Sequence, residues 1–235
     1  MFSVMLPDDS GMTVPFIYEE DAVATLYFRM GSVQSQMQQD RPDHLVLSYT
    51  RAMMAFLLFN QCPKTIAMIG LGGGSMAKWC YRQLPGTDIT VVEINPHVIA
   101  LRSHFYVPPD DERFRVLCED GAEYVARTRN ELDVLLVDGF DADGQPPELC
   151  SEEFYRACRS ALAPSGLMVV NLCGTENRTN ICWIKKAFDD SVLVVSPDDS
   201  VNQVAFAWKQ RPAWDEEHAG SIRMKIKEFE YRGRL

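Results

Sequence analysis

The chain of 235 residues contains no Cys-x-x-Cys pair, although it carries seven cysteines, at positions 62, 80, 118, 150, 158, 173 and 182. That absence argues against a zinc site or a disulfide framework. An odd number of cysteines scattered through apolar segments predicts buried free thiols in reducing surroundings. The four histidines (44, 97, 104 and 218) have no metal-ligand spacing, so no metal is expected. Long apolar runs are missing as well. Ala52 to Phe59 and Val134 to Val137 are far too short to cross a bilayer, and no membrane association is expected. No basic segment starts the chain, and Asp8 and Asp9 precede any apolar run, so a cytoplasmic protein without a secretory leader is the expectation. Positive charge is scarce: 23 Lys and Arg face 33 Asp and Glu, a formal net charge of −10. Such a field disfavours nucleic acid as a partner and favours cationic small molecules. Internal repeats and low-complexity segments are absent too.

Glycine, by contrast, is concentrated in one turn. The run Thr65-Ile-Ala-Met-Ile-Gly-Leu-Gly-Gly-Gly-Ser75 is an apolar stretch ending in Gly70, Gly72, Gly73 and Gly74. The next apolar stretch, in Val91-Val-Glu-Ile-Asn-Pro96, ends in an acid, Glu93. Strand, glycine turn, helix and second strand form a pattern that closes over a nucleoside. Glycines let the backbone pass close to a ligand, and an acid at the end of the second strand suits the hydroxyls of a ribose. A dinucleotide-binding turn has its third glycine where Ser75 stands here, which disfavours a nicotinamide dehydrogenase. The order G-x-G-G-G-S fits an S-adenosyl donor at least as well. A glycine turn with no ligand is the competing reading, and Glu93 at this distance weighs against it.

Along the chain, Val14 to Tyr18, Ala22 to Met30 and Val33 to Met37 read as short strands, and residues 1–45 as a small β-hairpin appendage. Helical spacing over Leu45 to Phe59 places Leu45, Tyr49, Met53, Phe56 and Leu57 on one face. Strands and helices then alternate. Strands are expected at Thr65 to Ile69, Asp88 to Glu93, Phe114 to Cys118, Val134 to Val137 and Leu167 to Asn171. Helices are expected at Ser75 to Gln83, from Pro96, at Gly121 to Arg129, at Ser151 to Leu162 and around Asn180 to Phe188. Pro164-Ser-Gly166 reads as a turn. Val192 to Val195 and Val204 to Trp208 read as an antiparallel hairpin at the sheet edge. Continuous apolar strands of this kind make a parallel sheet covered on both faces. Residues 46–209 therefore read as one α/β nucleoside-binding domain, and residues 210–235 as a polar, partly helical tail without chemistry.

In such a sheet, ligands lie beyond the carboxyl ends of the strands. That rim carries the glycines, then Glu93, then Glu119, Asp120 and Gly121, then Asp138, Gly139, Phe140 and Asp141. Asp120 suits the exocyclic amine of adenine, or equally the N-cap of the helix after it. Asp138 and Asp141 are three residues apart in one turn, so both carboxylates are expected to face the same cleft, with a water-exposed Asx turn as the alternative. Beside a sulfonium donor, which departs as a neutral thioether, no general acid is required. An aliphatic amine, with a pKa of about 10.4 by analogy with lysine, must lose a proton to attack. One carboxylate can accept that proton and stabilise the ammonium forming during attack, while a second holds a distal ammonium.

From about Val33 to Trp208 the chain resembles the spermidine/spermine synthase family, the polyamine aminopropyltransferases. The segment Asp133-Val-Leu-Leu-Val-Asp-Gly-Phe-Asp-Ala-Asp-Gly144 resembles the family's D-S-x-D-P-x-G. Leu149-Cys-Ser-Glu-Glu-Phe-Tyr155 resembles its L-F-x-x-x-F-Y, and Ala161-Leu-Ala-Pro-Ser-Gly166 its A-L-x-P-x-G. The resemblance implies a Rossmann-like, class I S-adenosylmethionine-dependent transferase sheet with helices on both faces. It implies Asp138 as the amine-activating acid, Asp141 as a binder of the acceptor amine, Glu93 as the ribose acid and Asp120-Gly121 as the adenine contact. It further implies Gln34 near the donor side chain, Tyr49 as a gatekeeping element over the active site, and a dimer. Gly73 stands where the family's G-G-G-D-G-G has its aspartate, a contact of the donor amine. The family's Y-[HQ]-E reads Tyr49-Thr50-Arg51, its later tyrosine loop has no match near Ser196 to Gln203, and the N-terminal β region is shorter. The leading expectation is aminopropyl transfer from decarboxylated S-adenosylmethionine to a diamine such as putrescine. Alternatives are methyl transfer from S-adenosylmethionine to a small molecule, and a relative that binds the nucleoside without catalysis.

Overall fold

The computed structural model describes residues 11–174, 176–198, 200–210 and 216–232. The first ten residues of the N-terminal appendage and parts of the tail (211–215 and 233–235) lie outside the described residues. The appendage is a three-stranded antiparallel sheet, β1 (Phe16–Glu20), β2 (Val23–Arg29) and β3 (Ser32–Gln38), one strand more than a hairpin. Pairing of β2 with β3 slips where Tyr27 faces Val33 but Leu26 faces Ser35, which leaves Gln34 as the extra residue of a bulge. A bulge of this kind re-aims side chains and twists the strand locally.

The main sheet is built from strands that alternate between two buried faces. Its seven strands are β4 (Thr65–Ile69), β5 (Asp88–Glu93), β6 (Phe114–Cys118), β7 (Leu132–Val137), β8 (Leu162–Leu172), β9 (Val192–Val195) and β10 (Gln203–Trp208). They lie in the order β6-β5-β4-β7-β8-β10-β9. The pairs β4–β5, β5–β6, β4–β7 and β7–β8 are parallel, and β10 runs antiparallel to both β8 and β9. Strand order therefore reverses between β4 and β7, the place where ligands bind in open α/β sheets. Ile66, Met68, Val134 and Leu136 face one core with α1 (Ser48–Met54), α2 (Ser75–Gln83) and α7 (Glu216–Arg232), which contribute Met53, Cys80 and Ile226. Ala67, Ile69, Leu135 and Val137 face the other core with α4 (Gly121–Arg127), α5 (Glu152–Ala161) and α6 (Asn177–Ala187), which contribute Val125, Cys158 and Ile184. Period-2 alternation with apolar residues on both sides is what a fully covered sheet requires.

Three expectations are corrected. The helical spacing from Leu45 resolves into an extended Leu47, the short α1 and a 3-10 turn over Ala55–Leu58. Arg51 reaches back to donate to the carbonyls of Leu45 (2.5 Å) and Val46 (2.7 Å), which ties that extended segment down without helix. Pro164 to Gly166 are not a turn but an irregularity inside β8, across which the pairing jumps from Leu132↔Leu162 to Val134↔Leu167. Only Cys80 and Cys158 are buried among the seven free cysteines; Cys62, Cys118, Cys173 and Cys182 are exposed. The tail forms the 17-residue α7, whose Ile226 is only 1% exposed, so it completes the core on the α1 side. Among the described residues no helix is long and apolar enough to cross a membrane.

Candidate active site

The glycine turn joins β4 to α2. Gly70 (φ +93°), Gly72 (φ +52°) and Gly74 (φ +64°) lie in the left-handed region that L side chains avoid. Gly74 is also the N-cap of α2. A Cβ on Gly70 would lie 2.3 Å from the backbone carbonyl oxygen of Asp138, because β4 and β7 are neighbours and their ends converge. One on Gly73 would lie 2.7 Å from Ser35 Oγ, which shows β3 lying against the turn.

Glu93 closes β5 beneath this turn. Its Oε2 accepts the N–H of Leu71 (2.9 Å) and its Oε1 the N–H of Asn95 (2.8 Å). Burial pushes the Glu93 carboxyl above the usual carboxylate range, and the backbone amides of Leu71, Asn95, Gly72 and Ile94 oppose that shift. The carboxylate is thus locked to the turn. Next to it Ile94 is 47% exposed, a large apolar side chain standing open at the rim. Asp120 caps α4, its Oδ1 accepting from Ala122 (2.6 Å) and Glu123 (3.2 Å). The capping alternative is therefore met by one oxygen, while Oδ2 takes no hydrogen bond among the described residues. Gly121 begins α4 against Ile69, where a Cβ would meet that side chain at 2.4 Å.

Asp138 ends β7. Its Oδ2 accepts the hydroxyl of Tyr49 (3.2 Å) and its Oδ1 the Nδ2–H of Asn171 (2.8 Å). Asn171 in turn accepts from Asn202 Nδ2 (2.8 Å), and Ser200 Oγ donates to Asn202 Oδ1 (2.8 Å). Asp138 is surrounded by protein yet keeps part of its surface accessible, as a group that handles a substrate proton must. Burial raises its carboxyl above the ordinary range, against the hydrogen bonds from Asn171 and Tyr49. Burial, and then the Asp138 charge, hold the Tyr49 phenol well above its usual value, so Tyr49 is a neutral donor to a carboxylate.

Asp141 departs from expectation. It is exposed, and its Oδ1 accepts the N–H groups of Asp143 (2.7 Å) and Gly144 (3.0 Å), an Asx-type turn. Its carboxylate serves its own loop rather than sharing a hydrogen-bond network with Asp138. The same loop reaches the N-terminal sheet through an ion pair of Asp143 with Arg29 (2.6 Å). Gln34, at the bulge, is half-buried, and its side chain has no hydrogen-bond partner among the described residues. Thr50 and Arg51 turn to the backbone of residues 45–47. Among the described residues no three or more His, Cys, Asp or Glu gather to hold a metal.

Ser35, Asn171 and Asn202 went unread in the sequence. Asn171 was legible in principle, since it ends the apolar run of β8 as Glu93 ends that of β5. Asn202 was not: it precedes β10, which is antiparallel, so that strand's beginning rather than its end lies beside the end of β8.

Comparison with known proteins agrees with this fold. Residues 46–198 match the model of the spermine/spermidine synthase domain. The polyamine aminopropyltransferase of Neisseria meningitidis serogroup A is 40% identical over 210 residues, which cover 88% of this chain and 80% of that protein. A probable spermidine synthase from Corynebacterium glutamicum superposes with a TM-score of 0.72 at 20% identity, over 94% of this chain and 81% of that one. Human methyltransferase-like protein 13 in complex with SAH superposes with a TM-score of 0.66 at 22% identity, over 79% and 93%. The chain belongs to the spermine/spermidine synthase family.

Proposed function

We propose that this chain is a polyamine aminopropyltransferase, moving the aminopropyl group of decarboxylated S-adenosylmethionine to a small diamine of the putrescine class. The observation that carries the reading is Asp138, held between Tyr49 and Asn171 at the strand end that abuts the glycine turn. The 40% identity to a protein named for this activity supports it.

The donor lies with its ribose hydroxyls on Glu93, its adenine against Ile94 with the exocyclic amine toward Asp120 Oδ2, and its sulfonium over the turn. The acceptor amine lies at Asp138. Nitrogen attacks the methylene carbon bonded to sulfur, so a C–N bond forms as the C–S bond breaks. The electron pair of the broken bond stays on sulfur, which leaves as the neutral thioether of methylthioadenosine. The proton displaced from nitrogen passes to Asp138 and then to solvent. A carboxyl raised by burial is a better proton acceptor than a solvated one, and the Tyr49 and Asn171 hydrogen bonds keep it charged and aimed. Alignment of the two reactants supplies the rest. Incubation with decarboxylated S-adenosylmethionine and putrescine tests the reading by release of methylthioadenosine, expected from the native chain and slowed by about a hundredfold or more in Asp138→Asn. Absence of release with a panel of diamines would exclude it.

A further inference from the structure

Ser35 is the β3 side chain that meets the glycine turn. It is 7% exposed, and its hydroxyl has no hydrogen-bond partner among the described residues. The residue is buried but the Oγ itself keeps accessible surface, so the hydroxyl is open to a partner from the cleft. The side chain's orientation is fixed by contact: its Oγ would lie 2.7 Å from a Cβ on Gly73 and its Cβ 3.7 Å from one on Gly72. The other side chain nearest Gly73 on that side is Phe105, at 3.0 Å from the same Cβ position. The side chains nearest Gly73 are thus a hydroxyl and a ring, while the Lys78 ammonium is buried on the carbonyl of Phe105 (2.7 Å).

In the donor placement proposed above, with the ribose on Glu93 and the reacting carbon toward Asp138, the far end of the transferred chain would run along Gly72 and Gly73. We infer that Ser35 receives that far end, and that its neutral hydroxyl beside Gly73 admits donors ending in an amino acid as well as donors ending in an amine alone. A hydroxyl can accept from an ammonium and donate to a carboxylate with the same atom. An acid in that place would favour the ammonium and repel the carboxylate. The donor-binding site is therefore permissive toward S-adenosylmethionine itself. The inference rests on the aminopropyl-transfer reading for the class of donor, and on binding rather than turnover for its test.

Calorimetry on the full chain with three ligands separates these contributions: methylthioadenosine, which lacks the transferred chain, S-adenosylmethionine, and its decarboxylated form. The native protein is expected to bind the two chained donors within about tenfold of each other, the span one hydrogen bond covers. Ser35→Ala is expected to weaken both by about three- to tenfold, the loss of one neutral hydrogen bond, and to leave methylthioadenosine unchanged. Ser35→Asp is expected to move the ratio roughly tenfold or more toward the decarboxylated donor by like-charge repulsion. Three results overturn the inference. They are a native preference above about a hundredfold for the decarboxylated donor, an unchanged ratio in Ser35→Asp, and a parallel loss of methylthioadenosine binding in Ser35→Ala. A native chain that binds both donors alike but releases no methylthioadenosine with any diamine overturns the transfer reading alone and leaves Ser35's role standing.

Discussion

Leu71, whose backbone N–H meets Glu93, and Tyr49, whose hydroxyl meets Asp138, belong to two halves of one cleft made by different means. In the proposed reading the nucleoside half is mostly backbone: a turn of glycines, amides that bind one buried carboxylate, and a helix cap. The amine half is mostly side chains, brought from α1, β7, β8 and the approach to β10. Backbone sites tolerate change at many side chains but depend on a few conformations. Side-chain networks depend on each member, because a buried donor or acceptor left without its partner costs more than the hydrogen bond contributed.

The sharpest way to break this comparison is Asp138→Asn. Loss of the proton acceptor is expected to lower kcat by about 10²- to 10⁴-fold while donor binding holds, measured by methylthioadenosine release beside calorimetry. A comparable fall in donor affinity would mean the halves are not separable. Glu93→Ala acts on the other half. It is expected to weaken donor binding by roughly 10- to 100-fold, the range for a hydrogen-bonded charge, and to lower the melting temperature as the Leu71 and Asn95 amides lose their acceptor. Were donor affinity to survive, the ribose would have to sit elsewhere.

Asn171→Ala sharpens the amine half. About tenfold is expected to be lost from kcat at neutral pH as the Asp138 carboxylate loses its aim. The pH profile gives the better readout. Catalysis needs Asp138 ionised, so kcat/KM falls as pH drops through a carboxyl value that burial has already raised. The Asn171 hydrogen bond pulls that value down, so its removal moves the acid limb to higher pH. An acid limb that stays put would leave Asn171 as a packing residue only. Asp141→Asn is expected to have the smallest effect, under about threefold on either kcat or the amine KM, as for other exposed charges. A hundredfold rise in the amine KM would instead bring Asp141 back into the acceptor site.

The contrast between halves also explains what was legible beforehand. β4, α2, β5 and β6 begin and end where the sequence places them, since each is bounded by a glycine, a proline or a change of polarity within a few residues. Gly70 to Gly74 and Glu93 are readable for the same local reason. Asp138 was found because it ends a strand. Its partners Tyr49, which only the family resemblance pointed to, and Asn171 lie 89 and 33 residues away, and Asn202 lies 31 residues beyond Asn171. No periodicity encodes such distances. Asp141 was misplaced because an acid three residues on in a turn serves an amine or its own backbone with the same sequence. The tail's helix was legible but its contribution to the core was not, because its surface is polar although Ile226 seals the core beside α1.

Gly70 stands where the two halves touch, its missing side chain allowing the carbonyl of residue 138 to close in. In the proposed reading, donor and acceptor lie on either side of that contact. Any methyl group wedged into it would spread the partners apart, so a single hydrogen-for-carbon exchange there threatens both grip and reaction at a stroke.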